Sequence, residues 1–143
     1  MKRLAIFLAA LPLAGCVSFA AKPPPSLLDL TAAEQVKPGQ EQDASSAKTV
    51  TISVPVVPQA LSTARVPVQA TPTSVAYVKD ALWVEAPQRL FARLLSDTIA
   101  ARTGRVVLGA AQAFGDPGAR IGGELRNFGI DAASSSAVVT FDA

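Results

Sequence analysis

The sequence predicts an α+β fold: a small mixed β-sheet with one amphipathic helix packed on one of its faces. Residues 49–54 alternate strictly, placing Val50, Ile52 and Val54 on one side, the pattern of a half-buried strand. Residues 86–102 place Leu90, Phe91, Leu94, Leu95, Thr98 and Ile99 on one helical face and Arg89, Arg93, Ser96, Asp97 and Ala100 on the other. Short β-rich runs lie on both sides of that helix.

The N-terminal segment comes first. Lys2 and Arg3 precede an apolar run from Leu4 that ends in Leu13-Ala14-Gly15-Cys16, the layout of a secretory signal peptide over residues 1–15. The run falls short of the roughly 20 apolar residues that a membrane-spanning helix needs. Leu13-Ala14-Gly15-Cys16 resembles the bacterial lipobox, which makes Cys16 the first mature residue and the site of lipid modification, palmitate included. Two or three acyl chains anchor stably where one does not, because each buried CH₂ contributes about 0.8 kcal/mol. Cleavage discards Lys2 and Arg3 and leaves 11 basic and 11 acidic side chains, so the mature chain is neutral. Val17, not Asp, follows the cysteine. By similarity to bacterial lipoproteins, that directs the protein to the periplasmic face of the outer membrane, with the inner membrane as the lesser alternative.

Residues 16–48 read as a lipidated N-terminus and flexible linker. Pro23-Pro24-Pro25 imposes extended backbone, and residues 26–31 offer a short edge strand. Residues 37–48 carry almost no apolar side chain. As coil, residues 31–48 would span about 24 Å root-mean-square. The folded domain is expected over residues 49–143.

Within it, Pro55 and Pro58 end the first strand. Residues 59–64 read as a turn and 65–69 as a short edge strand. Residues 74–78 and 81–84 flank Lys79-Asp80 as a hairpin would. Pro87 suits the first turn of the helix and Gly104 the left-handed position beyond its end. Arg93 and Asp97 can pair at i,i+4, in the weaker orientation. Residues 105–108 are a strand, which would lie parallel to the strand before the helix if both share one sheet. Residues 113–118 form a loop. Residues 120–128 alternate until the apolar phase slips at Phe128, so one bulged strand is expected. Residues 137–142 make a last strand, and a chain stopping on it reads as a domain truncated at its C-terminus.

Composition excludes much chemistry. The 143 residues contain no His and one Cys. No histidine-dependent relay, imidazole metal site, internal disulfide or Cys-ligated cluster can form. No catalytic residue, metal or cofactor is expected. A formal charge of +2 lacks the basic excess of a nucleic-acid binder. Ser134-Ser135-Ser136 reads as a solvated loop. The carboxylates Asp80, Glu85, Asp97, Asp116, Glu124 and Asp131 show no acid/base or metal spacing. Gly122-Gly123 reads as a bulge or tight packing, and Trp83 and Tyr77 as packing residues, with a lipid-contacting surface as their alternative.

Cys16 after the lipobox, Val56-Val57-Pro58-Gln59-Ala60-Leu61-Ser62-Thr63-Ala64-Arg65-Val66, Val75-Ala76-Tyr77 and Leu82-Trp83-Val84-Glu85-Ala86-Pro87 running into Arg89-Leu90-Phe91-Ala92-Arg93-Leu94-Leu95 together resemble the ABC-type transport auxiliary lipoproteins, PqiC-like partners of MCE-domain lipid transporters. The resemblance covers roughly residues 16–143. It implies a small mixed-sheet domain at the outer membrane that serves a transporter without catalysing a reaction. In the family pattern a further strand and a C-terminal helix follow, both missing here. The expected partners are the membrane, through acylated Cys16, and an MCE-domain protein of an ABC transporter system, with homo-oligomerisation as a ring of copies. Trp83, Pro87, Leu90, Phe91 and Leu94 form the candidate partner-docking or core motif. A scaffolding envelope lipoprotein is the alternative, and a carboxylate hydrolase the remaining enzymatic one.

Overall fold

The computed structural model describes residues 24, 26–39, 49–113 and 118–143. The lipobox residues Leu13, Ala14, Gly15 and Cys16, the linker residues 40–48 and Asp116 lie outside the described residues.

Two sheets and one helix give the expected α+β fold. The first sheet centres on β1 (Thr49–Ile52), which lies between β4 (Val106–Gly109) and β5 (Ala119–Ile121) and runs parallel to both. The expected half-buried strand through Val54 is corrected here. All four β1 residues are buried, the strand stops at Ile52, and Val54 is 56% exposed. A central parallel strand is covered on both faces, so the polar half of the alternation goes inside as well. Thr49 meets that condition by accepting a hydrogen bond on Oγ1 from the Gly118 N–H at 3.3 Å. The Thr51 hydroxyl is buried without a partner.

The second sheet has the order β3 (Ser74–Leu82), β2 (Arg65–Thr71), β6 (Glu124–Asp131), β7 (Ser136–Asp142). The expected edge strand at 65–69 is an interior strand, antiparallel to β3 and parallel to β6. Pro67 is tolerated because the ladder to β6 engages only Val68 and Gln69, beyond the residue that lacks a donor. The hairpin expected at Lys79-Asp80 is also absent. The reversal occurs at Thr71–Ser74, where the two hydroxyls lie 2.8 Å apart, and β3 continues past Lys79. Asp80 adopts φ 54°, and a register shift between Arg65 and Pro67 takes up the extra residues of β3. Aspartate tolerates the left-handed region, so the pair that reads as a turn is a strand irregularity.

Helix α1 (Pro87–Thr103) follows the sequence closely: Pro87 opens it, and Gly104 at φ 66° donates its N–H to the Ala100 carbonyl at 3.0 Å. The strands flanking α1 belong to different sheets, so the expected parallel pair across it does not form; β4 pairs with β1 instead. Arg93 turns to Asp29 and Glu85, not to Asp97.

Residues 120–128, expected as one bulged strand, are split at Gly122-Gly123 into β5 of the first sheet and β6 of the second. A bulge does occur nearby, between Leu125 and Asn127 in the β6–β7 ladder. The chain after β1 follows the same corner: Ser53 N–H donates to Ile121 at 3.0 Å, Val56 N–H to Gly123 at 3.0 Å, and Leu125 N–H to Val56 at 2.9 Å. These three bonds stitch the sheets together. At Gly123 (φ 157°) an added Cβ would lie 1.9 Å from the Asp142 carbonyl oxygen.

The core beside this junction comprises Leu61, Leu125 and Phe128, with Leu30, Val57, Trp83, Phe91 and Phe141 packed around it. Residues 26–31 supply a single bridge, Leu28 to Trp83, in place of an edge strand.

Gly123→Ala is expected to lose about 3 kcal/mol or more of stability, because both strain and collision must be relieved. Gly104→Ala, at a positive φ with open space around it, should lose only about 1 kcal/mol. Thr51→Val, which removes an unpaired buried hydroxyl while keeping the shape, should gain about 1 kcal/mol. Urea midpoints at constant m-value measure all three.

Candidate functional site

The segment from Trp83 to Leu94 leaves the end of β3 and enters α1, and its aromatic side chains pack on β6 and β7 of the second sheet. The Trp83 ring packs on Phe128 at 5.5 Å between centroids, and Phe91 on Phe141 at 4.9 Å. Tilted contacts at these separations match the preferred geometry of aromatic pairs. Pro87 and Leu90 are fully buried, while Leu94 is half-buried. Pro87 and Leu90 therefore lie inside, Trp83 and Phe91 are half-buried against the core, and Leu94 is half-buried outside it. The Trp83 indole N–H and the Gln88 side-chain carbonyl are buried without partners.

Beside this motif, residues 27–34 run alongside α1. Leu28 N–H donates to Leu82 O and Val84 N–H to Leu28 O, each at 2.8 Å. Asp29 pairs with Arg93, which also reaches Glu85 at 3.2 Å. Glu34 reaches Arg102 at 3.7 Å. These pairs are exposed, so each contributes little, and the buried Ala32 and the core contact of Leu30 hold the segment more firmly. Sequence reading found none of these partners; the only signal was an acid, Asp29, set among leucines.

A groove of about 490 Å³ opens where the chain after Val56 leaves the edge of β6 and before β2 joins it. Its floor is apolar, with Pro58, Leu61, Pro67, Val75, Phe128 and Val138 among the lining residues. Its polar groups are engaged within the protein. Gln69 Nε2 donates to Thr71 O at 2.6 Å, Asn127 Nδ2 to Thr140 Oγ1 at 3.2 Å, and Asp131 accepts from the Ala133 N–H at 2.9 Å. Arg126 donates to Asp142 at 2.9 Å; that hydrogen bond first, and the carboxylate charge second, hold its pKa above the ordinary guanidinium value. The groove thus presents shape and apolar surface, with no free acid–base pair aimed into it. Between β2 and β3, the Arg65 guanidinium stacks 3.7 Å from the Tyr77 ring centroid, and the Tyr77 hydroxyl donates to the Ala60 carbonyl at 3.5 Å.

Ser134 and Ser135 lie in the β6–β7 turn, with Ser135 at φ 50°, and Ser136 begins β7. Among the described residues no group of three His, Cys, Asp or Glu is placed to hold a metal ion, and no helix is long and apolar enough to cross a membrane.

Two sheets and one helix in this arrangement make a fold seen in solved structures. The chain is similar to an uncharacterized protein at 14% identity and a TM-score of 0.57, covering 71% of this chain and 65% of that one. It is also similar to a Xanthomonas campestris protein of the DUF330 family, at 15% identity and a TM-score of 0.56, covering 80% and 63%. The chain therefore spans somewhat less than two thirds of the length of either structure. No curated protein matches the sequence. Residues 28–143 match the family model of the ABC-type transport auxiliary lipoprotein component, and the chain belongs to that PqiC-like family.

Phe128→Ala, which removes the ring shared by the core and the Trp83 contact, should lower stability by about 3–5 kcal/mol. Leu94→Ala, at a half-buried position, should lower it by less than about 2 kcal/mol, and thermal unfolding followed by circular dichroism separates the two.

Proposed function

We propose that this protein is a non-catalytic, lipid-anchored accessory component of an ABC/MCE-type envelope transporter for lipids or other hydrophobic compounds moving between the inner and outer membranes. The observation that carries the reading is the family match over residues 28–143 with a lipobox cysteine lying just upstream of it. In this mechanism the acyl chains on Cys16 hold the domain at the periplasmic face of the outer membrane. The domain then docks an MCE-domain protein, as a ring of copies. The half-open Leu94 side of α1 and the apolar groove beside β6 are the surfaces available for that docking. The engaged polar groups of the groove agree with a role in binding and not in turnover.

The test is crosslinking in intact cells followed by mass spectrometry of the proteins recovered with the Cys16 form. An MCE-domain protein with its permease or ATPase is the expected catch. Recovery of unrelated envelope proteins alone would favour a scaffolding role. Cys16→Ala should release the domain from the membrane fraction by about tenfold or more, since no other acyl site exists in a sequence with one cysteine. Fractionation with immunodetection reads that shift, and retention of the variant in membranes would count against the anchor.

A further inference from the structure

We propose that Leu27, Leu28 and Val84 form a bilayer-contacting patch at the point where the lipid tether joins the folded domain; this rests on the lipid-anchor reading of Cys16. Scattered exposed aliphatics are ordinary on a protein surface. Leu27, Leu28 and Val84 are 50%, 42% and 46% exposed, and the two backbone hydrogen bonds that Leu28 makes with Leu82 and Val84 keep all three residues at the end of β3.

The tether is what selects the occupant. The segment after the patch is fixed to the domain by Asp29 on Arg93, by Leu30 in the core, by the buried Ala32 and by Glu34 on Arg102. Five residues of extended chain from Asp29 to Glu34 cover about 17 Å, close to the 14 Å or so between Arg93 and Arg102 along α1. The free tether therefore ends at Leu28 and not at Thr49, and the folded unit begins at Leu28. Eleven residues lie between Cys16 and Leu28, so the anchored chain holds the patch within about 40 Å of the membrane even at full stretch. Three aliphatic side chains are too few to bind a bilayer from solution. Tethering makes the second contact intramolecular, at millimolar effective concentration, and that is enough for a small patch to engage. The two carboxylates beside it, Asp29 and Glu85, share Arg93, which reduces their repulsion of anionic headgroups.

The sequence supplies its own probes, since Cys16 is the one cysteine and Trp83, bridged to Leu28, the one tryptophan. The chain from Cys16 onward would be coupled through that thiol to a maleimide-headgroup lipid in vesicles containing phospholipid brominated at shallow acyl positions. Trp83 emission should fall by about half on coupling, as expected for apolar side chains seated at the headgroup boundary. It should stay near its vesicle-free value in the Leu27→Ser/Leu28→Ser/Val84→Ser variant. Leu27→Ser alone, at the most exposed position, should give an intermediate loss and covers the case of a triple variant that fails to fold. Absence of quenching in the coupled native sequence, or equal quenching in the variants, overturns the patch. Mass spectrometry of the cellular protein is a separate arm: an unacylated Cys16 overturns the anchor reading and leaves the quenching result to judge the patch.

Discussion

At Gly123, where the chain passes from β5 of the first sheet into β6 of the second, the backbone lies so close to the end of β7 that no side chain fits between them. The carbonyl of Asp142 occupies the place a Cβ would take, and around this contact Val56, Gly123 and Leu125 exchange their hydrogen bonds. Because β5 and β6 are one stretch of chain bent at this point, the corner fixes how the parallel sheet around β1 faces the mixed sheet around β6. The core of Leu61, Leu125 and Phe128 sits just past the bend and joins the second sheet to α1 and to the chain before β2, through Leu30, Val57, Trp83, Phe91 and Phe141. A larger residue at position 123 would have to push the end of β7 away from the start of β6.

What could be read from residues alone follows from which signals are local. Helix α1 was legible almost to its ends, since Pro87, the apolar stripe and Gly104 are properties of seventeen consecutive residues and their borders. The period of β1 was legible too, but not its burial, because the strands that cover it lie far away in the chain. Lys79-Asp80 misled because a polar pair between β-rich runs is also what a tolerated left-handed aspartate inside a long strand looks like. Pro67 pointed to an edge, yet the parallel ladder starts one residue later and never asks for its donor. Gly122-Gly123 was correctly marked for tight packing, but that the packing joins two sheets is information held by Asp142 and Val56, not by the glycines.

The candidate site was legible in the same uneven way. The segment Trp83, Pro87, Leu90, Phe91 and Leu94 was found as a unit, and the fold brings it against Phe128 and Phe141. The groove beside β6 was not visible, since its walls come from the turn at 58–61 and from β2, β3, β6 and β7, pieces with no shared periodicity. The segment at 27–34 was hidden for another reason. An extended strap that makes one bridge and a few exposed ion pairs leaves almost no compositional trace.

The pairing of β1 with strands so far downstream has a kinetic consequence. Thr49 meets Val106, and Val50 meets Ala119, so the most buried strand of the domain is among the first parts of the chain to emerge and the last to be satisfied. Neither sheet has a purely local route to closure: β2 needs β6, and the hairpin of β6 with β7 is completed only by residues at the far end. High contact order of this kind slows folding, because loop-closure entropy is spent before any long-range contact repays it. The β2–β3 hairpin can close early, but β1 stays unpaired until residues 106–121 are present.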